Sequence, residues 1–184
     1  MPAMNSPLQS SDPPASARLV GLAPVVSAQS VVLILGSFPG VASLRAGQYY
    51  GHPQNHFWRI LQSLWPQHAL PAREHYAARC TWLLERGLGL WDVYAACERE
   101  GSLDTAIRQA QLNDFESLRA RAPGLAAIAH NGGESFRHAK AVQARVGPAV
   151  ASLRLPSTSA ANASWSFEKK RNAWAEALAP FGLV

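Results

Sequence analysis

Four short apolar runs constrain this chain more than any other feature: VVLILG (31–36), GLGLWDV (87–93), GLAAIAH (124–130) and AVASLRLP (149–156). Each is shorter than an ordinary helix and apolar on consecutive positions, the pattern of a strand buried on both faces. Around them lie helical patterns at 55–65, 71–86, 113–122, 133–145 and 166–179. In the second of these, Tyr76, Cys80, Leu83 and Leu84 fall on one face. Asn55 and Asn113 stand where helix caps are wanted, the latter with Glu116 at the capping-box spacing. Strands alternating with helices predict an α/β domain with a mostly parallel sheet, and right-handed crossovers put helices on both of its faces. Ligands of such sheets bind beyond the carboxyl ends of the strands.

Those ends are unlike their surroundings. The first is followed by GSFPG and then by QYYGHPQNHFW (48–58), a stretch with neither helical nor strand period and crowded with rings and carboxamides. The second carries Trp91 and Asp92, the third HNGGES with His130 and Asn131, and the fourth PSTSAANASWS. The loops read as lying at the opposite ends, PLQSS, QAQLN and RVGPA, are plainer. The asymmetry predicts one pocket shared by all four strand ends. HNGGES offers successive N–H groups before a helix start, a place for an anion. The hydroxyls of PSTSAANAS can cap the next helix or hold a phosphate. GSFPG lacks the G-K-[ST] ending of a nucleotide-binding loop, and no G-x-S-x-G turn marks a serine hydrolase.

With 184 residues the chain suits one domain with a real core. Residues 1–17 are rich in Pro, Ser and Ala, so a mobile tail is expected ahead of a domain over 18–184. The start lacks the basic and apolar segments of a secretory signal, and no run reaches the ~18–20 apolar residues of a membrane span. A soluble cytoplasmic protein is expected. Cys80 and Cys97 form no C-x-x-C pattern, which predicts two reduced buried thiols rather than a metal site. A net charge of +5 suits a polyanionic partner such as nucleic acid.

Taken in order, GSFPG, QYYGHPQNHFW, HNGGES and LPSTSAANASWSFEKK resemble the uracil-DNA glycosylase superfamily, and the last segment is closest to its hypoxanthine-DNA glycosylase branch. The resemblance spans about Val31 to Trp174. It implies a three-layer α/β/α sandwich around a four-stranded parallel sheet. It also implies a monofunctional enzyme that hydrolyses the N-glycosidic bond of a deaminated base, deoxyinosine first and uracil or xanthine as further candidates. Double-stranded DNA would be the partner, the protein a monomer, and no cofactor or metal is needed. Phe38 stands where mismatch-specific relatives carry a catalytic Asn. The hypoxanthine branch is similar in lacking that Asn and points to Asn55 and Asn131 as its catalytic residues. Ala160 replaces the Pro usual in the last motif.

The residues can support that chemistry. A base must leave the duplex to be reached, and it needs a ring to stack on. Tyr50, aligned with the family's stacking aromatic, is the expected platform, worth ~1–3 kcal/mol, with Tyr49 beneath it. Asn55 would position the attacking water or simply cap a helix. Asn131 would bond the edge of the base. Main-chain N–H groups of Ser37 and Phe38 would meet its carbonyl oxygen, and the Phe38 ring would form an apolar wall. Asp92 reads as a supporting orienter or a cap, and His52 and His56 as phosphate contacts or loop supports. Ser157, Thr158 and Ser159 are expected on backbone phosphates, Asn162, Ala163 and Ser164 near the gap left by the base, and Lys169, Lys170 and Arg171 in a cationic strip. No Lys falls in the pocket motifs, which speaks against Schiff-base chemistry. Two other readings are a non-catalytic nucleic-acid binder and a small-molecule hydrolase using His130 with a serine of the fourth strand end.

Overall fold

The computed structural model describes residues 17–184. The expected tail and the PLQSS loop lie outside the described residues, apart from Ala17. Four strands form a parallel sheet: β2 (Val32–Gly36), β3 (Leu88–Asp92), β6 (Ala127–Asn131) and β7 (Ala151–Leu155), in the order β3-β2-β6-β7. These are the four apolar runs. The register sets Leu35 beside Trp91 and His130, so the strands end nearly level. Because the first strand of this sheet is an inner one, successive connections leave it in opposite directions. The crevice formed where they part is the usual ligand site of such sheets.

Helices cover both faces, giving the three layers. Side chains of β2 alternate between them, as the pleat requires. Val32 and Ile34 join a core with α2 (Phe57–Leu64), α3 (Tyr76–Leu84) and α7 (Phe167–Leu178). Leu33 and Leu35 join a second core with α4 (Leu118–Arg121) and α6 (Ala139–Val146). Two short helices follow strand ends directly: α1 (Val41–Ala46), closed by Gly47 at φ 62°, and α5 (Gly133–Phe136). The outer edge of β3 is covered by Val25, which exchanges two backbone hydrogen bonds with Leu90.

A second sheet departs from expectation. β1 (Arg18–Val20), β4 (Tyr94–Glu98) and β5 (Arg108–Leu112) pair antiparallel in the order β1-β4-β5. The chain passes from β3 into β4 through Val93 alone, so Asp92 sits where the two sheets part. QAQLN, expected as a loop at the far end, lies largely in β5. Its polar residues are mostly exposed, so it shows no apolar pattern of its own. The helix expected over 113–122 shrinks to four residues. Asn113 does not cap it; its Nδ2 donates to the carbonyl of Asp92 at 2.8 Å, closing the end of β3. The helix expected over 133–145 is two, interrupted at Arg137 and His138. Glu134, before the break, and His138, within it, both meet the Tyr94 hydroxyl, at 2.6 and 2.7 Å.

Trp174 anchors α7. It is wholly buried, meets the Phe57 ring edge-on at 5.7 Å and donates its indole N–H to the carbonyl of Pro156. Trp174→Ala is expected to cost ~3–5 kcal/mol in urea unfolding, and a loss below ~1 kcal/mol would show that this face repacks freely.

Candidate active site

A cavity of about 610 Å³ opens at the carboxyl ends of the parallel strands, a size that suits a small ring system. Its lining includes Gly36, Ser37 and Phe38 after β2, Asp92 at the end of β3, Asn131 at the end of β6 and Ser157 to Asn162 after β7. Tyr49, Tyr50, His52 and Asn55 come from the ring-rich stretch. Ser102 to Thr105 come from the β4–β5 connection, which the sequence did not reveal. A larger and more open hollow, about 880 Å³, lies around Trp65, Arg86 and Leu183. None of the expected site residues line it.

The stretch 48–58 is held from several sides. The Trp58 indole donates to the Tyr49 carbonyl, and the Tyr49 N–H donates to the Tyr76 hydroxyl. The Gly51 N–H donates to Ser43 Oγ. Tyr49 is buried, its hydroxyl shared between the carbonyls of Leu22 and Ala23, so it supports and does not recognise. Tyr50 has φ 53°, a left-handed conformation costly for any residue with a Cβ. Its ring stacks on Phe57 with centroids 3.9 Å apart, which occupies one face. The other face is the one available to a ligand. Among the described residues no well-formed hydrogen bond reaches its buried hydroxyl, and burial, with Asp92 nearby, pushes its pKa up against the opposing influence of the Asn131 side chain.

Asn55 Oδ1 accepts the Phe57 N–H at 2.9 Å, at the start of α2. The cap and the pocket are thus the same carboxamide, fixed in direction by the helix. Asn131 is bound more tightly than expected. Its Oδ1 accepts the Thr158 N–H and its Nδ2 donates to Thr158 Oγ1, both at 2.9 Å. One Nδ2 hydrogen is left over. Thr158 is therefore not on a phosphate: it is fully buried, and its carbonyl also accepts the His56 N–H.

The last loop is built on itself. Ser157 Oγ accepts the Ser159 N–H, Ser159 Oγ accepts the Ala161 N–H, and Asn162 bridges the Ser157 carbonyl and Ser164 Oγ. Ser164 and Lys169 are exposed. Lys170 does not belong to the cationic strip. It is wholly buried, with Nζ donating to the Ser159 carbonyl at 3.0 Å, and burial lowers its pKa. His52 is exposed at the mouth, its Nδ1 accepting the Gln54 N–H, so it does not stand behind the site. His56 is tucked beside Lys170 and Arg59; burial, then those cations, holds its pKa down.

Asp92 is the residue most underrated by the sequence. It is 4% exposed, lines the cavity, and its Oδ2 has no hydrogen-bond partner among the described residues. Burial, reinforced by Asp104 and opposed by Arg99, pushes its pKa up to about 7. Asp104, at the mouth, accepts a hydrogen bond from Ser37 Oγ at 2.6 Å. Gly36 makes the room: a Cβ there would lie 2.3 Å from Asp92 Oδ1.

Two expectations fail here. HNGGES leads only into the four-residue α5, too short to add a macrodipole for an anion. His130 is fully buried and bonded through Nδ1 to Ser135, not to a serine after β7; burial holds its pKa near 4. That removes the hydrolase reading. Among the described residues no group of three or more His, Cys, Asp or Glu could hold a metal, and no helix is long and apolar enough to cross a membrane. Cys97 is buried and Cys80 half-buried, both as free thiols.

A parallel α/β/α sandwich with an aromatic and carboxamide pocket at its strand ends has the build of a base-excising glycosylase domain. Residues 23–179 match the uracil DNA glycosylase superfamily, and the chain belongs to that family. It is 38% identical over 158 residues to the hypoxanthine DNA glycosylase of Methanosarcina barkeri, covering 86% of this chain and 96% of that one. A second protein of that name, from Methanosarcina acetivorans, is 35% identical over 157 residues, covering 84% and 94%. A solution NMR structure of a candidate uracil DNA glycosylase from M. acetivorans superposes with a TM-score of 0.72 at 31% identity, covering 86% of this chain and 96% of that one.

Two measurements check the geometry. Asn131→Leu keeps the shape but leaves the Thr158 N–H and hydroxyl unpaired; a loss of ~2–4 kcal/mol is expected, with faster hydrogen exchange at the Thr158 amide. Unchanged exchange would show that the bracket is not closed in solution. The second concerns Asp92. The folded state keeps its proton up to about pH 7, whereas an unfolded chain releases it near ~4. Folding therefore loses stability as pH rises across that window. Asp92→Asn should unfold at higher urea than the parent at pH 8, by as much as ~4 kcal/mol, with the gap closing toward pH 4. A gap independent of pH would mean that Asp92 is ionised throughout.

Proposed function

We propose that this chain is a DNA glycosylase for deaminated bases: it hydrolyses the N-glycosidic bond of deoxyinosine, releasing hypoxanthine and leaving an intact abasic site. The observation that carries this is the meeting of Tyr50, Asn55 and Asn131 in one cavity of base-accommodating size, in a chain related along most of its length to two proteins named hypoxanthine DNA glycosylase. Duplex DNA is the proposed substrate form, and a monomer the proposed working unit.

Each residue has a share that its bonding supports. The everted purine lies against the free face of Tyr50, whose other face rests on Phe57. Asn55, oriented by its bond to the Phe57 N–H, retains its amide hydrogens and a lone pair for the attacking water. A neutral carboxamide is a poor base. It suffices where the glycosidic bond is largely broken before water adds, because the sugar cation is then the driving partner. Asn131 offers its remaining N–H to the base edge. Phe38, 6% exposed, walls the slot. Ser157, Ser159, Asn162, Ser164 and Lys169 are the proposed contacts to the strand backbone.

The mouth also presents an apolar side chain. Leu103 is 63% exposed. Its neighbours are pinned: Ser102 Oγ accepts the Val41 N–H, Asp104 holds Ser37, and Arg99 bonds the carbonyls of Pro39 and Gly101. An exposed leucine on a braced loop beside a base pocket is fitted to fill the stack that an everted base vacates.

Labelled duplexes carrying inosine, uracil or xanthine, treated with the protein and then alkali, test the function. Breaks at inosine are expected; retarded bands without breaks would leave only a binder. Asn55→Ala should cut ~100-fold more slowly at unchanged DNA affinity, and unaltered cutting would remove Asn55 from its role. Leu103→Ala should slow cutting of duplex inosine ~10-fold and of single-stranded inosine little. Equal effects on both would remove it as a wedge.

A further inference from the structure

Taking the glycosylase reading as its basis, we propose that Asp92 works as a carboxylic acid, donating its proton to N7 of the departing hypoxanthine. Asn55 and Asn131 have no proton to give, so a site built on them alone must release the purine as a bare anion. Among the described residues two aspartates line the cavity: Asp104 is exposed and takes the Ser37 hydroxyl, which leaves Asp92 as the enclosed acid. It lines the cavity at the end of β3, is almost wholly enclosed, and Oδ2 has no hydrogen-bond partner among the described residues. A buried polar atom without a partner is rare enough to want a cause, and a ligand edge is one. Among the described residues the Tyr50 hydroxyl, on the expected stacking ring, is the other buried polar atom of the same lining without a well-formed hydrogen bond, with the Asn131 side chain beside it. The missing Cβ of Gly36 is what lets the Asp92 carboxyl occupy this place.

The charges around Asp92 favour the protonated form. From the β4–β5 connection Asp104 adds negative charge. Tyr49 and Tyr50, from the ring-rich stretch, are neutral phenols whose pKa values are themselves pushed up. Arg99 opposes this from beyond β4, but its hydrogen bonds go to the carbonyls of Pro39 and Gly101 rather than to the carboxyl. Asn113 touches only the backbone carbonyl of Asp92. The outcome is a carboxyl that holds its proton up to about pH 7, the range in which an acid catalyst is most useful.

The step balances. As the C1′–N9 bond breaks, its electron pair passes into the purine ring, and the proton on Asp92 moves to N7, so neutral hypoxanthine leaves. Water adds its oxygen to C1′, and the proton it releases returns through solvent to the carboxylate. N7 is an acceptor on a purine edge and has no counterpart in uracil, so the device favours purines.

Single-turnover rates of the full chain on inosine duplexes between pH 5 and 9 test this. The parent rate should fall about tenfold per pH unit above ~7. Asp92→Asn should be ~100-fold slower at pH 6 without that fall, and should lose less on uracil than on inosine. A duplex with 7-deaza-2′-deoxyinosine should bind the parent and stay uncut, a readout that does not depend on the variant folding. A parent rate that rises through pH 7, an unchanged pH profile in Asp92→Asn, or ready cutting of the 7-deaza duplex would each overturn the proposal. If the parent cuts inosine at no pH, the glycosylase reading itself fails.

Discussion

Three hydrogen bonds at Thr158 hold the pocket together. Its N–H and hydroxyl close a reciprocal pair with the Asn131 carboxamide, and its carbonyl takes the His56 N–H. One buried residue thus joins the end of β6, the loop after β7 and the ring-rich stretch. These segments are distant in sequence, and the pairing of Asn131 with Leu155 stops short of the loop and does not reach the ring-rich stretch. Other bonds anchor each segment separately, but the junction is what fixes them relative to one another. With it, Asn55 and Asn131 are held in one cavity before any ligand arrives, which is the condition for positioning to contribute to rate.

Lys170 extends the same logic outward. Bringing an ammonium into a wholly buried place is expensive, and a single carbonyl, that of Ser159, is its hydrogen-bond partner. The bond fixes the loop after β7 from behind while Trp174, four residues along α7, fixes Pro156 through its indole. One helix therefore grips both ends of the segment that faces the cavity. A charge run that reads as a solvated surface is in fact split: Lys169 outside, Lys170 inside.

The parallel sheet was legible because each of its strands carries its own signal. A strand buried on both faces must be apolar throughout, and VLILG shows it without help from any neighbour. The single pocket was legible for a related reason: polar and ring-bearing residues clustered after every such run. The second sheet was not. RQAQL is a polar, mostly exposed strand whose order comes from pairing with β4, and pairing leaves no local trace. The same limit applies to Thr158, which looks like a phosphate contact until its distant partner Asn131 is in place. For Asp92, chain spacing showed an acidic side chain at a strand end. Only the packing of Gly36 and Tyr50 around that end, with Asp92 4% exposed, shows that water is largely shut out.

The cost of the site tells where its chemistry lies. A fold under selection for stability alone would not keep Tyr50 at a positive φ, nor bury a carboxyl without a partner. Gln109 also has a positive φ and other buried polar atoms lack partners elsewhere, but at Tyr50 and Asp92 the two kinds of departure fall together on one cavity wall. Neutral groups dominate that wall, and this matters for the leaving base. A cation there would bind phosphate more strongly than it would sort purines, and a fixed anion would repel the charge that bond cleavage pushes into the ring. A carboxyl that holds its proton near neutrality does neither: it is uncharged while the base is bound and passes its proton to the ring only as the bond gives way, taking the negative charge from the base, so its stabilisation is spent on the transition state rather than on the bound substrate.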